Sequence, residues 1–279
     1  IYTIEYDDTI LNWMDFTSEQ RTNLINLAGT YGITLMASFG GATTFNVNNG
    51  LLGFLESVSI YVNYVTLAQV LLNYVNTNGL NAIDLDIEFI NGGVTSAETQ
   101  QMYDWLGLLS QELKTATNLP TNTPITYLTH APQTPYFYNG SFNGVYLSLE
   151  QYYGEYINCY LTQFYNQGDT YNDFDEIFID DPVQYASVLQ IQSYGIPIQK
   201  IIVGKATDAT SGFVVLYDGT TNSLVMNNIV NATQTYTSEP LLQTWLLTAG
   251  VMVWIYRTDS NFEFNTSILG YFDNNLGGT

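Results

Sequence analysis

Apolar residues recur along this chain in two alternating rhythms. Short runs with a two-residue period predict strands, and longer stretches with a three-to-four-residue period predict amphipathic helices. The strand-type runs are 1–6 (IYTIEY), 33–41 (ITLMASFGG), 82–89 (AIDLDIEF), 124–132 (PITYLTHAP), 159–166 (CYLTQFYN), 200–207 (KIIVGKAT) and 250–257 (GVMVWIYR). Thr17-Ser-Glu-Gln20 has the pattern of a capping box. It predicts a helix through about Tyr31 with Leu24, Leu27 and Ala28 on one face. A second helix is expected over about 60–77, with Ile60, Tyr64, Leu67, Leu71 and Tyr74 on one stripe and Gly79 at its C-terminal cap. Thr95-Ser-Ala-Glu98 is another capping box, followed by Met102, Trp105, Leu106, Leu109 and Leu113 at helical spacing. A hairpin insertion around Asp218-Gly219 within 213–227 and a helix near Leu241–Leu247 complete the pattern.

Strands alternating with helices imply parallel βα units, and therefore an α/β fold. With 279 residues, no low-complexity linker and no break in composition, one domain over 1–279 is the economical expectation, with a (β/α)8 barrel as its architecture. The pattern supplies seven strands where such a barrel needs eight. The missing first strand is expected upstream of Ile1 or from another chain, because an open strand edge would otherwise remain.

One strand breaks its own rhythm in an informative way. In 82–89, Asp84, Asp86 and Glu88 alternate with Ile83, Leu85, Ile87 and Phe89. A two-residue period puts the three carboxylates on one side and the four apolar residues on the other. In a parallel barrel the apolar side meets the helices, and the acids form a column that rises toward the C-terminal mouth, where active sites lie. Burial and mutual repulsion in such a column push at least one pKa up, which keeps a carboxylic acid available as a proton donor. Two blander readings compete: a solvated edge strand, and a calcium or magnesium site. The continuous apolar face argues against the first. The straight backbone, which cannot wrap an ion, argues against the second, so no metal and no cofactor is expected.

Composition narrows the partners. The chain carries 26 Asp+Glu against 5 Lys+Arg, a formal net charge of −21, which opposes both nucleic-acid phosphate and an anionic membrane surface. No run long and apolar enough to span a bilayer occurs. With its polar surface left to Asn, Thr, Ser, Gln and Tyr, the chain reads as extracellular and secreted, working in an acidic medium where many carboxylates are neutral. The start at Ile1 fits removal of an N-terminal segment. Cys159, the one cysteine, sits among apolar residues and reads as a small buried hydrophobe. Asn139, Asn231 and Asn265 head glycosylation acceptor patterns.

The motifs, taken together, resemble glycoside hydrolase family 18. LNAIDLDIE (80–88) resembles its DxxDxDxE signature, with Asn81, Asp84, Asp86 and Glu88 on the polar positions. SFGG (38–41) is similar to its SxGG signature, HAPQTPYF (130–137) to the turn after the fifth strand, and GVMVW (250–254) to the eighth strand. QFYN (163–166) resembles the sixth-strand motif of the compact, hevamine-like chitinases of plants and fungi (class III type). The resemblance spans about 33–255.

It implies an endo-acting chitinase that cleaves β-1,4-linked N-acetylglucosamine polymers by a substrate-assisted, retaining route. By this resemblance Glu88 is the proton donor, Asp86 holds the substrate acetamide, Asp84 tunes Asp86, and Tyr165 hydrogen-bonds the acetamide carbonyl. Trp254 is the floor under the reacting sugar, with barrel core as its alternative reading. Gln163, Tyr6, Gln133 and Gly40 complete the substrate-binding set. Departures stand at Ala82, where the family has glycine, at His130 and at Lys205. His130 is expected to line the cleft, with a hydrogen-bonded core histidine as the alternative. Lys205 is expected either to pair with nearby acids or to alter the sugar subsites. An endo-β-N-acetylglucosaminidase, a non-catalytic chitin-binding protein and a component of an extracellular assembly remain the rival readings.

Overall fold

A computed structural model of the chain describes residues 13–41, 50–57, 64–88, 90–167, 170–171, 173–206 and 239–254. The strand expected at 1–6, the hairpin at 213–227, Tyr6, Phe89, Asn231 and Asn265 lie outside these residues. In chain order the main elements are α1 (Ser18–Thr30), β1 (Ala37–Gly40), α2 (Gly50–Ser57), α3 (Tyr64–Thr77), β2 (Ala82–Asp86), α4 (Ser96–Thr115), β3 (Tyr127–His130), the single turn α5 (Asn139–Phe142), α6 (Val145–Tyr153), β4 (Cys159–Gln163), α7 (Val188–Ser193), β5 (Ile201–Ala206), α8 (Pro240–Thr248) and β6 (Val251–Trp254). Every strand expected within the described residues is present.

The chain divides into two compact units, residues 1–131 with 142–158 and residues 132–141 with 159–279. In the first, β1 pairs with β2 and β2 with β3, both in parallel. Helix α4 packs against α3 and α6. Its expected stripe of Met102, Trp105, Leu106, Leu109 and Leu113 is buried throughout, each large side chain contributing about 1.5–3 kcal/mol of burial. Both expected capping boxes form: Thr17 with Gln20 at α1 and Thr95 with Glu98 at α4. In α3, Leu67 and Leu71 are buried as expected, while Tyr64 and Tyr74 are half-buried.

Helix α1 departs from its expected inner face. Ala28 is buried, but Leu24 is 38% and Leu27 55% exposed. The stripe holds only a few apolar residues between polar ones, so leaving two leucines at the surface forfeits little burial.

In the second unit, β4 pairs with β5 and β5 with β6, again in parallel. Trp245 of α8 is buried and its indole N–H donates to the Ile201 carbonyl at 2.7 Å, tying the helix to the start of β5. Its ring meets Phe178 edge-on at 4.8 Å. Cys159, at the start of β4, is a buried thiol outside any disulfide.

Candidate active site

The carboxylate strand behaves as its period requires. Ile83, Leu85 and Ile87 are fully buried. On the other face exposure rises along the strand: Asp84 is 6% exposed, whereas Asp86 and Glu88 are half-buried. The series therefore has a buried base and two half-buried acids after it.

The base is held by its neighbours. Register places Ser38 of β1 and Thr129 of β3 on either side of Asp84. The Ser38 hydroxyl donates to one Asp84 carboxyl oxygen at 2.8 Å and the Thr129 hydroxyl to the other at 2.6 Å. Burial pushes the Asp84 carboxyl up to about 6, and the two hydroxyl donors restrain that rise by favouring the charged form. Desolvation is thus the leading cause of the upward shift that the column was expected to show. Thr129 was not anticipated as part of the site. Its signal in the sequence is a lone hydroxyl one step from the apolar Leu128, in phase with nothing until the strand register is known.

The glycine pair of SFGG has a steric explanation. Gly40 has φ +127, and a Cβ built there would overlap the Asp86 carbonyl oxygen. Gly41, at φ +89, donates its N–H to that same carbonyl at 2.7 Å. Only glycine tolerates both the backbone conformation and this approach. Gly40 therefore positions the backbone of Asp86. Ala82, where the resemblance expects glycine, is buried inside β2.

The expectation that His130 lines the cleft is overturned. It pairs in register with Leu85, so it faces the helices with the apolar residues of β2. It is fully buried, its Nε2 lies 2.9 Å from the Ser110 hydroxyl, and its ring meets Tyr146 edge-on at 5.8 Å. Desolvation lowers its pKa to about 3, so it stays neutral. The period that places Asp84 beside Thr129 leaves the next residue no way to reach the cleft side.

The second unit carries the remaining candidates. Gln163 ends β4 and is buried, and its N–H donates to the Pro132 carbonyl at 2.9 Å. An isolated parallel bridge joins Gln163 to Gln133, bringing those two candidates together. Tyr165 follows β4 and is 9% exposed. Trp254 closes β6 opposite Ala206. Lys205 was expected to pair with acids or to shape the sugar subsites. Its ammonium donates to the backbone carbonyls of Phe164 and Tyr171, and one nearby acid, Glu176, acts on it electrostatically.

Among the described residues, no group of three or more His, Cys, Asp or Glu side chains is arranged to hold a metal ion. No helix among them is long and apolar enough to cross a membrane.

No protein-family model and no curated protein matches the chain. Solved structures do. A family 18 chitinase from Pseudoalteromonas aurantia superposes with a TM-score of 0.62 at 22% identity, over 92% of this chain and 81% of that one. The fold is that of the family 18 glycoside hydrolases. A family 18 chitinase variant from Cycas revoluta, solved in complex with (GlcNAc)4, gives a TM-score of 0.63 at 10% identity, over 96% of this chain and 87% of that one. A fungal endo-β-N-acetylglucosaminidase of the same family gives 0.57 at 19% identity, over 92% and 77%. The α/β architecture read from the strand–helix alternation is therefore the (β/α)8 barrel of these glycoside hydrolases.

Proposed function

We propose that the protein is an endo-acting chitinase of the compact class III type, and that it cleaves β-1,4-linked N-acetylglucosamine chains by a substrate-assisted, retaining mechanism. The observation that carries this reading is the buried Asp84 gripped by two hydroxyls, with Asp86 at the end of the same strand and Glu88 just beyond it, both half-buried. Solved chitinases of the same fold support it, one of them in complex with (GlcNAc)4.

In this reading Glu88 gives its proton to the glycosidic oxygen as the C1–O bond breaks. The carbonyl oxygen of the sugar's own 2-acetamido group forms a bond to C1, giving an oxazolinium. Asp86 accepts the acetamide N–H and balances the positive charge, and Asp84 shares a proton with Asp86. Tyr165 donates to the acetamide oxygen and keeps it aimed at C1, while Gln163, Gln133 and Tyr6 bind around the sugar and Trp254 floors it. Water then attacks C1 from the vacated side and loses a proton to the Glu88 carboxylate. The anomeric configuration is retained because C1 is attacked twice. The setting is extracellular and acidic, and Asn139, exposed in α5, is the acceptor pattern among the described residues that a glycan could reach.

Chitin oligosaccharides offered beside an N-glycosylated protein test the substrate. Cleavage of the oligosaccharides with β-anomeric products supports the proposal. Release of glycans from the glycoprotein alone transfers it to the endo-β-N-acetylglucosaminidase reading, which the same carboxylates and the fungal structure of that activity favour. Binding without cleavage of either makes the protein a chitin-binding or assembly component.

A further inference from the structure

Lys205 is a buried charge that the proposed chemistry does not use. It lies in β5 and is 6% exposed. Register sets Gly204 beside Gln163 and Met252, so Lys205, one residue on, leaves the strand on the face opposite Gln163. From there it is turned away from a ligand on the Gln163 face.

Its ammonium meets two backbone carbonyls, that of Phe164 at 2.9 Å and that of Tyr171 at 3.0 Å. Both residues are fully buried, and their rings meet edge-on at 5.0 Å. The Phe164 N–H also donates to the Gly204 carbonyl at 3.0 Å, so β5 holds Phe164 by its backbone and by the neighbouring lysine at once. Between the two anchored carbonyls the chain turns through Tyr165 and Asn166. Asn166 has φ 58 and Tyr171 φ 61, both left-handed. A bulky aromatic residue is rarely found there, and it persists where its surroundings fix it. Burial lowers the Lys205 pKa to about 8 while Glu176 opposes the fall, so the group is an ammonium at neutral pH and below. A buried ammonium needs acceptors, and the ends of this loop supply them.

We propose that Lys205 is a positioning residue for Tyr165: by binding the carbonyls of Phe164 and Tyr171 it anchors the backbone next to Tyr165 and fixes the direction in which Tyr165 leaves β4. The inference rests on the reading of Tyr165 as the acetamide's hydrogen-bond partner. The lysine on β5 is thereby a device for loop geometry, with no direct part in sugar selection.

Two measurements test it. The first uses kcat and KM on the chitin tetrasaccharide for wild type, Lys205→Met, Tyr165→Phe and the double variant. Lys205→Met is expected to lower kcat about 10- to 100-fold with KM little changed, the size of effect that misplacing one catalytic contact produces. In the Tyr165→Phe background the same change should cost less than about threefold, because the two act through one contact. An equal loss in both backgrounds overturns the proposal. The second is hydrogen exchange of the free protein, which needs no activity. Residues 164–167 and 171 should be protected like β4 and β5 in wild type and should exchange about tenfold faster or more in Lys205→Met, with β1–β3 unaltered. An unprotected wild-type segment, or unchanged exchange in the variant, overturns the anchor. If Lys205→Met does not fold, Lys205→Arg and the wild-type exchange decide the matter. If wild type hydrolyses no oligosaccharide, the functional reading falls while the exchange result still decides the anchor.

Discussion

Replacing Asp84 by asparagine should reverse part of the protein's response to pH. Burial raises the Asp84 pKa from its ordinary 3.8 to about 6 in the folded state. A carboxyl whose folded pKa lies above its unfolded value binds its proton more tightly when folded. Stability from that preference is fully present below pH 3.8 and is lost as pH rises through 6. The size follows from the difference between 3.8 and about 6, which corresponds to about 3 kcal/mol. The wild-type curve alone does not display it, because buried His130 slopes the other way. Its pKa is depressed to about 3, so its contribution is lost as pH falls below its ordinary 6.5. Asp84→Asn isolates the carboxyl: the amide keeps the shape, faces the same two hydroxyls and does not titrate. Urea unfolding of both proteins from pH 3.5 to 7.5 gives a difference in unfolding free energy at each pH. Relative to the variant, wild type should lose about 3 kcal/mol between pH 4 and 6.5, then level off. A flat difference, or one that grows with pH, would refute the assignment of burial as the dominant influence on this carboxyl.

Glu88→Gln should lower kcat on chitin oligosaccharides at least about 10³-fold while leaving their affinity within about threefold, as read by calorimetry. Gly40→Ala should destabilise the fold by about 3 kcal/mol or more, since its Cβ would overlap the Asp86 carbonyl at a backbone angle of +127°; the urea midpoint reports it. Thr129→Val removes a donor to Asp84 and should raise that carboxyl's pKa further, moving the end of the Asp84-dependent stability loss to higher pH. Ser110→Ala strips a partner from buried His130 and should cost about 1–3 kcal/mol without changing kcat.

Periodicity made the central strand legible: a strict alternation of acids with Ile83, Leu85 and Ile87 has one folded meaning, and the exposure pattern follows it. The capping boxes at Thr17 and Thr95 were equally direct, because a cap is a local contact between residues three apart. The box at Ser187, which opens α7, went unnoticed beside so short a helix. Helices α2 and α6 were missed too: they span only two or three turns, and tyrosines and glycines blur their stripes. What the sequence withheld was register. Thr129 grips Asp84 and His130 turns away from it, although both sit in the same short strand. Nothing within that strand says which of the two stands level with the acid. Lys205 was hidden for a related reason, since its acceptors are main-chain carbonyls and leave no trace in side-chain patterns.

The sealing of His130 and Cys159 has a consequence for the protein's outer chemistry. They are the chain's only imidazole and only thiol, and both are buried. No imidazole is offered to the medium for zinc, and no thiol stands ready for disulfide exchange or oxidation. Most of the chain's ionised groups are carboxylates, 26 Asp and Glu against 5 Lys and Arg. Hard cations such as calcium can gather around such a surface, while thiol-directed oxidants find little to hold.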